Sequence, residues 1–163
     1  MDINSVCKAI QEQFIAKGKT LSTAESCTGG RIAALLTSVA GSSAYFRGGI
    51  VSYQTHIKSD VLHVSKDTID RFGVVSKETA TEMRICACKL FNSDCAISIT
   101  GYAGPTGGTI TDPVGTVYVS VGSASDGITR RIVSHEFLRT DIQDEVARAA
   151  IRLLYEWLEK TEI

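Results

Sequence analysis

Hydrophobic residues along this chain follow both helical and strand-like spacing. Val6, Ile10 and Phe14 recur every four residues and predict an amphipathic helix over residues 4–17, which ends at Gly18. Further along, apolar runs of strand length alternate with helical patterns. Strands are predicted at residues 20–25, 48–53 and 95–100, and helices at residues 29–38 and 77–91.

The last third of the chain predicts a hairpin and a closing helix. Strands at residues 114–121 and 128–137 flank the turn Gly122–Gly127 and predict an antiparallel pair. The apolar positions predict the inner faces of the 77–91 helix (Ala80, Met83, Ala87 and Leu90) and of the closing helix (Ile142, Val146, Ala149, Leu153, Leu154 and Trp157). Together the elements predict an α/β fold, a three-layer α/β/α sandwich with a mixed, mostly parallel sheet, built as one domain from residues 1–163.

Composition narrows the functional classes. The formal net charge of −1 gives no indication of a nucleic-acid partner. No window reaches the roughly 18 apolar residues of a membrane span, and the residues after Met1 lack a signal-peptide pattern, so we expect a cytoplasmic protein with no membrane partner. Five cysteines at irregular spacing argue against a disulfide framework. Cys86 and Cys88, two apart on a predicted helix, point to different sides, so no metal site is expected.

Two glycine-rich stretches, Ser26–Gly30 and Thr100–Gly108, each follow a predicted strand. Glycine lets backbone N–H groups approach an oxyanion closely, and the first stretch also opens a predicted helix, whose N-terminus favours negative charge. Ligands of such sheets bind at the carboxyl ends of strands, so both loops could reach one site for a phosphate or an oxyanion. The alternatives are a simple helix cap for the first stretch and a rigid connection for the second.

A nucleophile and a base are harder to identify from the residues alone. A serine, such as those in Gly41–Ala44, needs a base, and neither His56 nor His63 lies in a recognisable pattern. Lys58 follows a strand and could serve if burial lowers its pKa, although a lone lysine is usually solvated. Cys27, at a predicted helix N-terminus, is a rival nucleophile or a buried packing residue.

Five motifs occur in a characteristic order along the chain. They are AESCTGG at 24–30, GGIVSY at 48–53 followed by Lys58, GVVS at 73–76, SITGYAGPTGG at 98–108 and PVGTVY at 113–118. In this order and spacing the chain closely resembles the CinA C-terminal domain family, the nicotinamide-nucleotide amidases. The resemblance extends from about residue 5 to residue 158. Longer family members carry an additional N-terminal domain, for which this chain leaves no room, so it is similar to the stand-alone form.

The resemblance implies an activity as well as a fold. The expected reaction is hydrolysis of the carboxamide of nicotinamide mononucleotide to nicotinate mononucleotide and ammonia, within pyridine nucleotide recycling. The expected partner is therefore a small nucleotide substrate, with no metal or organic cofactor. The family fold is similar to the predicted sandwich, and a homo-oligomer, often a dimer, is implied. The alternatives are a nucleotide-binding module without chemistry and an amidase for another small amide.

The resemblance also implies roles for particular residues. Ser43 is the expected nucleophile, from a family pattern of Gly, any residue, Ser, with Lys58 as general base. Ser26 is the alternative nucleophile or a binding residue, and Tyr53 would orient Lys58 or donate a proton. The substrate or the oxyanion would be held by residues of the two loops, namely Thr28, Gly29, Gly30, Thr100, Gly101, Gly104, Gly107 and Gly108.

One position departs from the family pattern. Many relatives carry an arginine just before the last helix that could pair with phosphate. This sequence places Ile142 or Gln143 there, and Arg139, slightly upstream, is the candidate replacement.

Overall fold

A five-stranded mixed sheet forms the centre of the computed structural model, which describes residues 1–163. The strands are β1 (Leu21–Glu25), β2 (Phe46–Val51), β3 (Cys95–Gly101), β4 (Thr116–Ser123) and β5 (Gly127–Val133). They lie in the order β2-β1-β3-β4-β5. Strand β1 pairs in parallel with β2 and β3, whereas β4 is antiparallel to both β3 and β5. Four of the five strands therefore point the same way, and the predicted mixed sheet and hairpin are confirmed.

Six helices cover the two faces of the sheet. They are α1 (Ile3–Ala16), α2 (Arg31–Thr37), α3 (Thr55–Asp60), α4 (Lys66–Phe72), α5 (Lys77–Phe91) and α6 (Arg139–Leu158). One apolar core joins α1, α2 and α6 to the sheet, and a second, smaller core joins α4 and α5 to its other face. The three-layer arrangement is therefore confirmed. None of the helices is both long enough and apolar enough to cross a membrane.

Strand β3 shows how the two cores share one sheet. Its side chains alternate, so that Ile97 and Ile99 enter the larger core while Ala96 enters the smaller one. On the same face as Ala96, the hydroxyls of Ser98 and Thr100 donate to the main-chain carbonyls of Ala80 and Val74, at 2.5 and 2.7 Å. Buried hydroxyls thus tie the central strand to α5 and to the segment before it.

A few local predictions differ from the structure. Strand β5 ends at Val133, short of the predicted residue 137, because its partner β4 starts at Thr116 and offers no further ladder. Leu90, in the last turn of α5, is 42% exposed and does not belong to the inner face of that helix. Ala149 is only half-buried, whereas Ala150 beside it is fully buried. All five cysteines are buried and unpaired.

Candidate active site

The candidate catalytic groups meet at the carboxyl end of β1, where the chain turns into α2. Side chains alternate across a strand, so Glu25 and Ser26 leave its end on opposite sides. Glu25 faces the N-terminus of α2, whereas Ser26 faces Lys58 of α3. Gly29 and Gly30 complete the turn with φ of 60° and 98°, a region that favours glycine.

Ser26 and Lys58 form a buried hydrogen-bonded pair. Lys58 Nζ lies 3.0 Å from Ser26 Oγ and donates a second bond, of 2.6 Å, to the main-chain carbonyl of Ser52. Only 8% of Ser26 and 2% of Lys58 is exposed, and Lys58 takes part in no ion pair. Burial lowers the pKa of Lys58 from 10.5 to about 8. A fraction of the amine is therefore neutral near pH 7 and able to accept a proton from Ser26.

The structure does not bring Ser43, the predicted nucleophile, together with Lys58. Ser43 is exposed in a short 3-10 turn before β2, whereas Ser52, whose carbonyl holds Lys58, follows the other end of that strand. Six strand residues separate the two ends, a span of about 20 Å. Ser26, the alternative nucleophile, takes the place beside the lysine.

The backbone N–H groups of the first glycine-rich stretch are mostly occupied. Glu25, 1% exposed, accepts bonds from the N–H groups of Gly30, Ile32 and Ala33 at 2.9 to 3.1 Å, and from the Thr28 hydroxyl at 2.6 Å. The N–H group of Gly29 donates to the carbonyl of Ser26. Of the three predicted N–H donors at residues 28–30, those of Gly29 and Gly30 are therefore occupied by acceptors of the protein itself.

Two N–H groups of this turn do remain available. The main-chain N–H groups of Cys27 and Thr28 immediately follow Ser26 and donate to no protein acceptor. The Cys27 carbonyl in turn accepts a 2.7 Å bond from the buried Gln143 amide of α6, which fixes the plane of the following peptide. A pair of N–H groups directly after a nucleophile is the arrangement that stabilises an oxyanion.

Cys27 itself is a poor rival to Ser26. Its thiol is buried, and this burial raises its pKa to about 12 despite the nearby charges of Lys58 and Arg139. The thiolate, not the thiol, is the reactive form. The interpretation of Cys27 as a packing residue therefore fits the structure better.

The second glycine-rich stretch is crowded by the chain itself. A Cβ atom on Gly108 would lie 2.8 Å from the main-chain nitrogen of Val114, and one on Gly104 would collide with the Val114 side chain. The neighbouring glycines are also close to other parts of the chain: Gly101 faces Thr116 and Val117, and Gly107 faces the Tyr102 ring. The hydroxyl of Thr100, a predicted donor to the substrate, donates to the Val74 carbonyl instead.

Arg139 and Tyr53 connect this second loop to the rim of the site. Arg139, the first residue of α6, donates 2.5 Å bonds to the Tyr53 hydroxyl and to the Gly104 carbonyl. Tyr53 is 54% exposed and makes no hydrogen bond to Lys58, which the Ser52 carbonyl holds instead. No carboxylate pairs with Arg139, which leaves its charge free to meet an anion.

Three contributors to the site were missed from the sequence: Glu25, Ser52 and Gln143. Glu25 and Ser52 lie inside motifs that stand out for their glycines. A polar residue at the end of an apolar strand, buried in the structure, is the feature of the sequence that could have identified each of them. In the sequence, Gln143 stands out only as a possible occupant of the arginine position of the family. The described residues contain no group of three or more His, Cys, Asp or Glu side chains placed to hold a metal ion.

A family model and several known proteins match this chain. The model of the CinA C-terminal domain matches residues 3–158. A CinA-like protein of Leptospira borgpetersenii is 41% identical over 156 residues, which cover 96% of this chain but 37% of that protein. The chain thus spans about a third of the length of the curated relatives that it matches.

Solved structures of similar proteins share the whole fold. A competence damage-inducible protein A of Klebsiella pneumoniae superposes with a TM-score of 0.93 at 31% identity, covering 99% of this chain and 100% of its own. A competence/damage inducible protein of Agrobacterium tumefaciens has a TM-score of 0.90 at 36% identity, with coverage of 96% and 95%.

Proposed function

This chain belongs to the CinA C-terminal domain family, and from that premise we propose that it is an amidohydrolase that uses Ser26 and Lys58 to convert nicotinamide mononucleotide to nicotinate mononucleotide and ammonia. The observation that carries the proposal is the 3.0 Å contact between a buried serine and a buried lysine without a counter-ion. Such a lysine is a suitable general base near neutral pH.

The proposed reaction begins when neutral Lys58 accepts the hydroxyl proton of Ser26. Ser26 Oγ then attacks the carboxamide carbon, and the carbonyl oxygen becomes an oxyanion facing the N–H groups of Cys27 and Thr28. The Lys58 ammonium returns its proton to the amide nitrogen, which leaves as ammonia and leaves an ester on Ser26. Water, activated by Lys58, hydrolyses the ester, releasing the carboxylic acid and restoring the serine.

The contacts around Lys58 support both of its protonation states. The ammonium donates to Ser26 and Ser52, and the neutral amine can still donate to the Ser52 carbonyl while its lone pair faces the Ser26 hydroxyl. The Ser52 carbonyl therefore holds the amine in place throughout the cycle. Because these groups are buried, charge–dipole interactions within the site are stronger than in water.

The substrate phosphate would bind at the rim, at Arg139. The α2 N-terminus is occupied by Glu25, so it does not offer the phosphate site that the glycines suggested. Arg139 carries an unpaired guanidinium whose present acceptors, a tyrosine hydroxyl and a carbonyl, are neutral. A phosphate would compete well for it, since Arg–phosphate pairs form charge-assisted bidentate bonds.

Ammonia release from three amides tests the proposal. We expect nicotinamide mononucleotide to be hydrolysed faster than its riboside, and the riboside faster than free nicotinamide. Arg139→Gln should reduce this preference for the mononucleotide by about tenfold, the size of one charge-assisted contact. Absence of ammonia from all three amides would contradict the proposed activity.

The occupied helix N-terminus also favours a second candidate, an amidase for a small amide without phosphate. Equal rates for the mononucleotide and the riboside, with no effect of Arg139→Gln, would favour this alternative. A nucleotide-binding module without chemistry would bind the mononucleotide but release no ammonia.

A further inference from the structure

Glu25 is the most extensively bonded side chain of the site, yet it takes no part in the proposed reaction. Its Oε2 accepts from the Thr28 hydroxyl and from the N–H groups of Gly30 and Ile32, and its Oε1 accepts from the N–H group of Ala33. All four partners are donors, which matches the acceptor-only carboxylate form. The buried charge lies at the positive end of α2, where the helix dipole stabilises it.

The main chain of Glu25 is bonded to the other half of the pair. Its carbonyl accepts from the N–H group of Ser52 at 2.8 Å and from the Ser52 hydroxyl at 3.3 Å. The Ser52 carbonyl then accepts from Lys58 Nζ. One residue therefore fixes the turn that carries Ser26 through its side chain, and the anchor of Lys58 through its main chain.

We propose that Glu25 is a positioning residue for catalysis, which fixes the Ser26–Gly30 turn as an internal anion and leaves only the N–H groups of Cys27 and Thr28 for the reacting oxyanion. The inference rests on the proposed serine–lysine chemistry. It assigns the helix N-terminus to the protein's own carboxylate, so that the only free main-chain donors of the turn are those next to the nucleophile.

The charge of Glu25 is also directed away from Lys58. The carboxylate bonds to α2 on one side of β1, whereas Lys58 lies on the other side. A carboxylate beside the amine would favour its ammonium form and remove the base. Because side chains alternate across β1, the Glu25 carboxylate and the Lys58 amine lie on opposite sides of the strand and form no ion pair.

The substitution Glu25→Gln tests the inference with nearly unchanged shape. An amide offers one acceptor oxygen, and its NH₂ group must face at least one of the four donors. The turn should therefore relax, and a misplacement of the oxyanion donors by about 1 Å costs on the order of 100-fold in rate. We expect at least a tenfold loss in kcat for the mononucleotide, with KM changed less than about twofold.

A fluorophosphonate probe gives a readout independent of the amide substrate. Ser26 Oγ attacks phosphorus, fluoride leaves, Lys58 takes the serine proton, and the phosphoryl oxygen occupies the oxyanion position. In Glu25→Gln the rate constant for labelling Ser26 should fall at least tenfold. In Thr28→Val, which removes one donor to the carboxylate, it should fall less, by about threefold. If Glu25→Gln does not fold, Thr28→Val decides.

Asp2→Ala is the matched control, since it removes the N-cap of α1, far from the site, at a cost of about 1 kcal/mol in stability. Its labelling rate constant should equal that of the wild type. A purely structural role for Glu25 would lower the fraction of labelled protein but leave the rate constant unchanged, and this result would overturn the inference. If the probe labels the wild-type protein but no ammonia is released, only the proposed substrate is refuted. Wild type that does not label at Ser26 refutes both proposals.

Discussion

The two glycine-rich stretches look alike in sequence but differ in what their glycines do. In the first, a Cβ atom added to Gly29 or Gly30 would meet no atom closer than 3.7 Å. In the second, a Cβ atom on Gly101 or Gly108 would come within 2.8 Å of main-chain atoms. The glycines of the first stretch shape an open turn, whereas those of the second allow the chain to pack against itself.

Glycine content alone therefore does not identify a ligand-binding loop. The polar residues that flank the turn are more informative, because each of them must be satisfied once it is buried. Beside the first stretch, the Glu25 carboxylate accepts hydrogen bonds from the free N–H groups at the N-terminus of α2, and Ser26 bonds to Lys58. In the second, the buried Thr100 hydroxyl is satisfied by a main-chain carbonyl.

Replacing Ser26, in the first stretch, should lower kcat far more than replacing Ser43, the nucleophile implied by the family resemblance. Ser26→Ala should lower kcat by at least about a thousandfold, because it removes the nucleophile. Ser43→Ala, in the exposed turn before β2, should change it less than about twofold. Ammonia release from nicotinamide mononucleotide measures both, and the reverse result would return the nucleophile to Ser43.

Lys58 should contribute to activity and oppose stability. Lys58→Met should lower kcat by at least about a hundredfold, since it removes the general base. The lowering of the lysine pKa from 10.5 to about 8 corresponds to about 3 kcal/mol. Loss of the bond to Ser52 offsets about 1 kcal/mol of this, so we expect the free energy of unfolding at pH 7 to rise by about 2 kcal/mol.

The pH dependence of this gain provides a check. The unfolded chain binds the Lys58 proton more tightly, so the penalty is fully present below about pH 8 and disappears as the pH rises toward 10.5. The stability gain of Lys58→Met should shrink over the same range. Lys66→Met, at a largely exposed lysine, is the control and should show no such gain. A lower free energy of unfolding in Lys58→Met than in the wild type would show that burial of the amine does not destabilise the fold.

In the second stretch, substitutions should affect stability more than catalysis. Gly108 has a φ of 80° and no room for a Cβ atom, so Gly108→Ala should cost about 2–3 kcal/mol from strain and overpacking. Gly18→Ala is the control: its φ is 63° but nothing lies within 4 Å, so the cost should be about 1 kcal/mol. Denaturant unfolding measures both. Equal costs would mean that Gly108 is not crowded.

The pH–rate profile should report the base of the first stretch. Because catalysis requires neutral Lys58, kcat/KM should rise about tenfold per pH unit below pH 8 and level off above it. The rise should persist in Arg139→Gln, because burial is what lowers the pKa of Lys58. A flat profile between pH 6.5 and 7.5 would contradict the proposed base.

Much of the fold could be predicted from the sequence because it depends on local periodicity. The strand–helix alternation and the hairpin at Gly122–Gly127 follow from spacing alone. The position of Lys58 just past a strand also follows from the sequence. Only 15 positions separate Ser43 from Lys58 in sequence, but β2 lies between them, so the structure does not bring the two residues together. Ser26 follows a parallel strand, as Lys58 does, so the rule that ligands bind at carboxyl ends favoured it.

The partners of buried hydroxyls could not be predicted, because they depend on which distant carbonyl is within reach. Thr100 is an example, and replacing it should change stability and activity least. Thr100→Val removes the bond to the Val74 carbonyl and should cost about 1 kcal/mol in stability. The rate per folded molecule should change less than about twofold, because the hydroxyl is already bonded to the Val74 carbonyl.

Ser98→Ala is the matched control for this last substitution, since its hydroxyl lies on the same face of β3 and donates to Ala80 in the same way. Unfolding in urea and kcat for the mononucleotide should respond similarly in both variants. If Thr100→Val instead loses tenfold in kcat while Ser98→Ala does not, Thr100 turns toward the substrate during catalysis. The second stretch would then supply a donor to the site, and the contrast between the two loops would no longer hold.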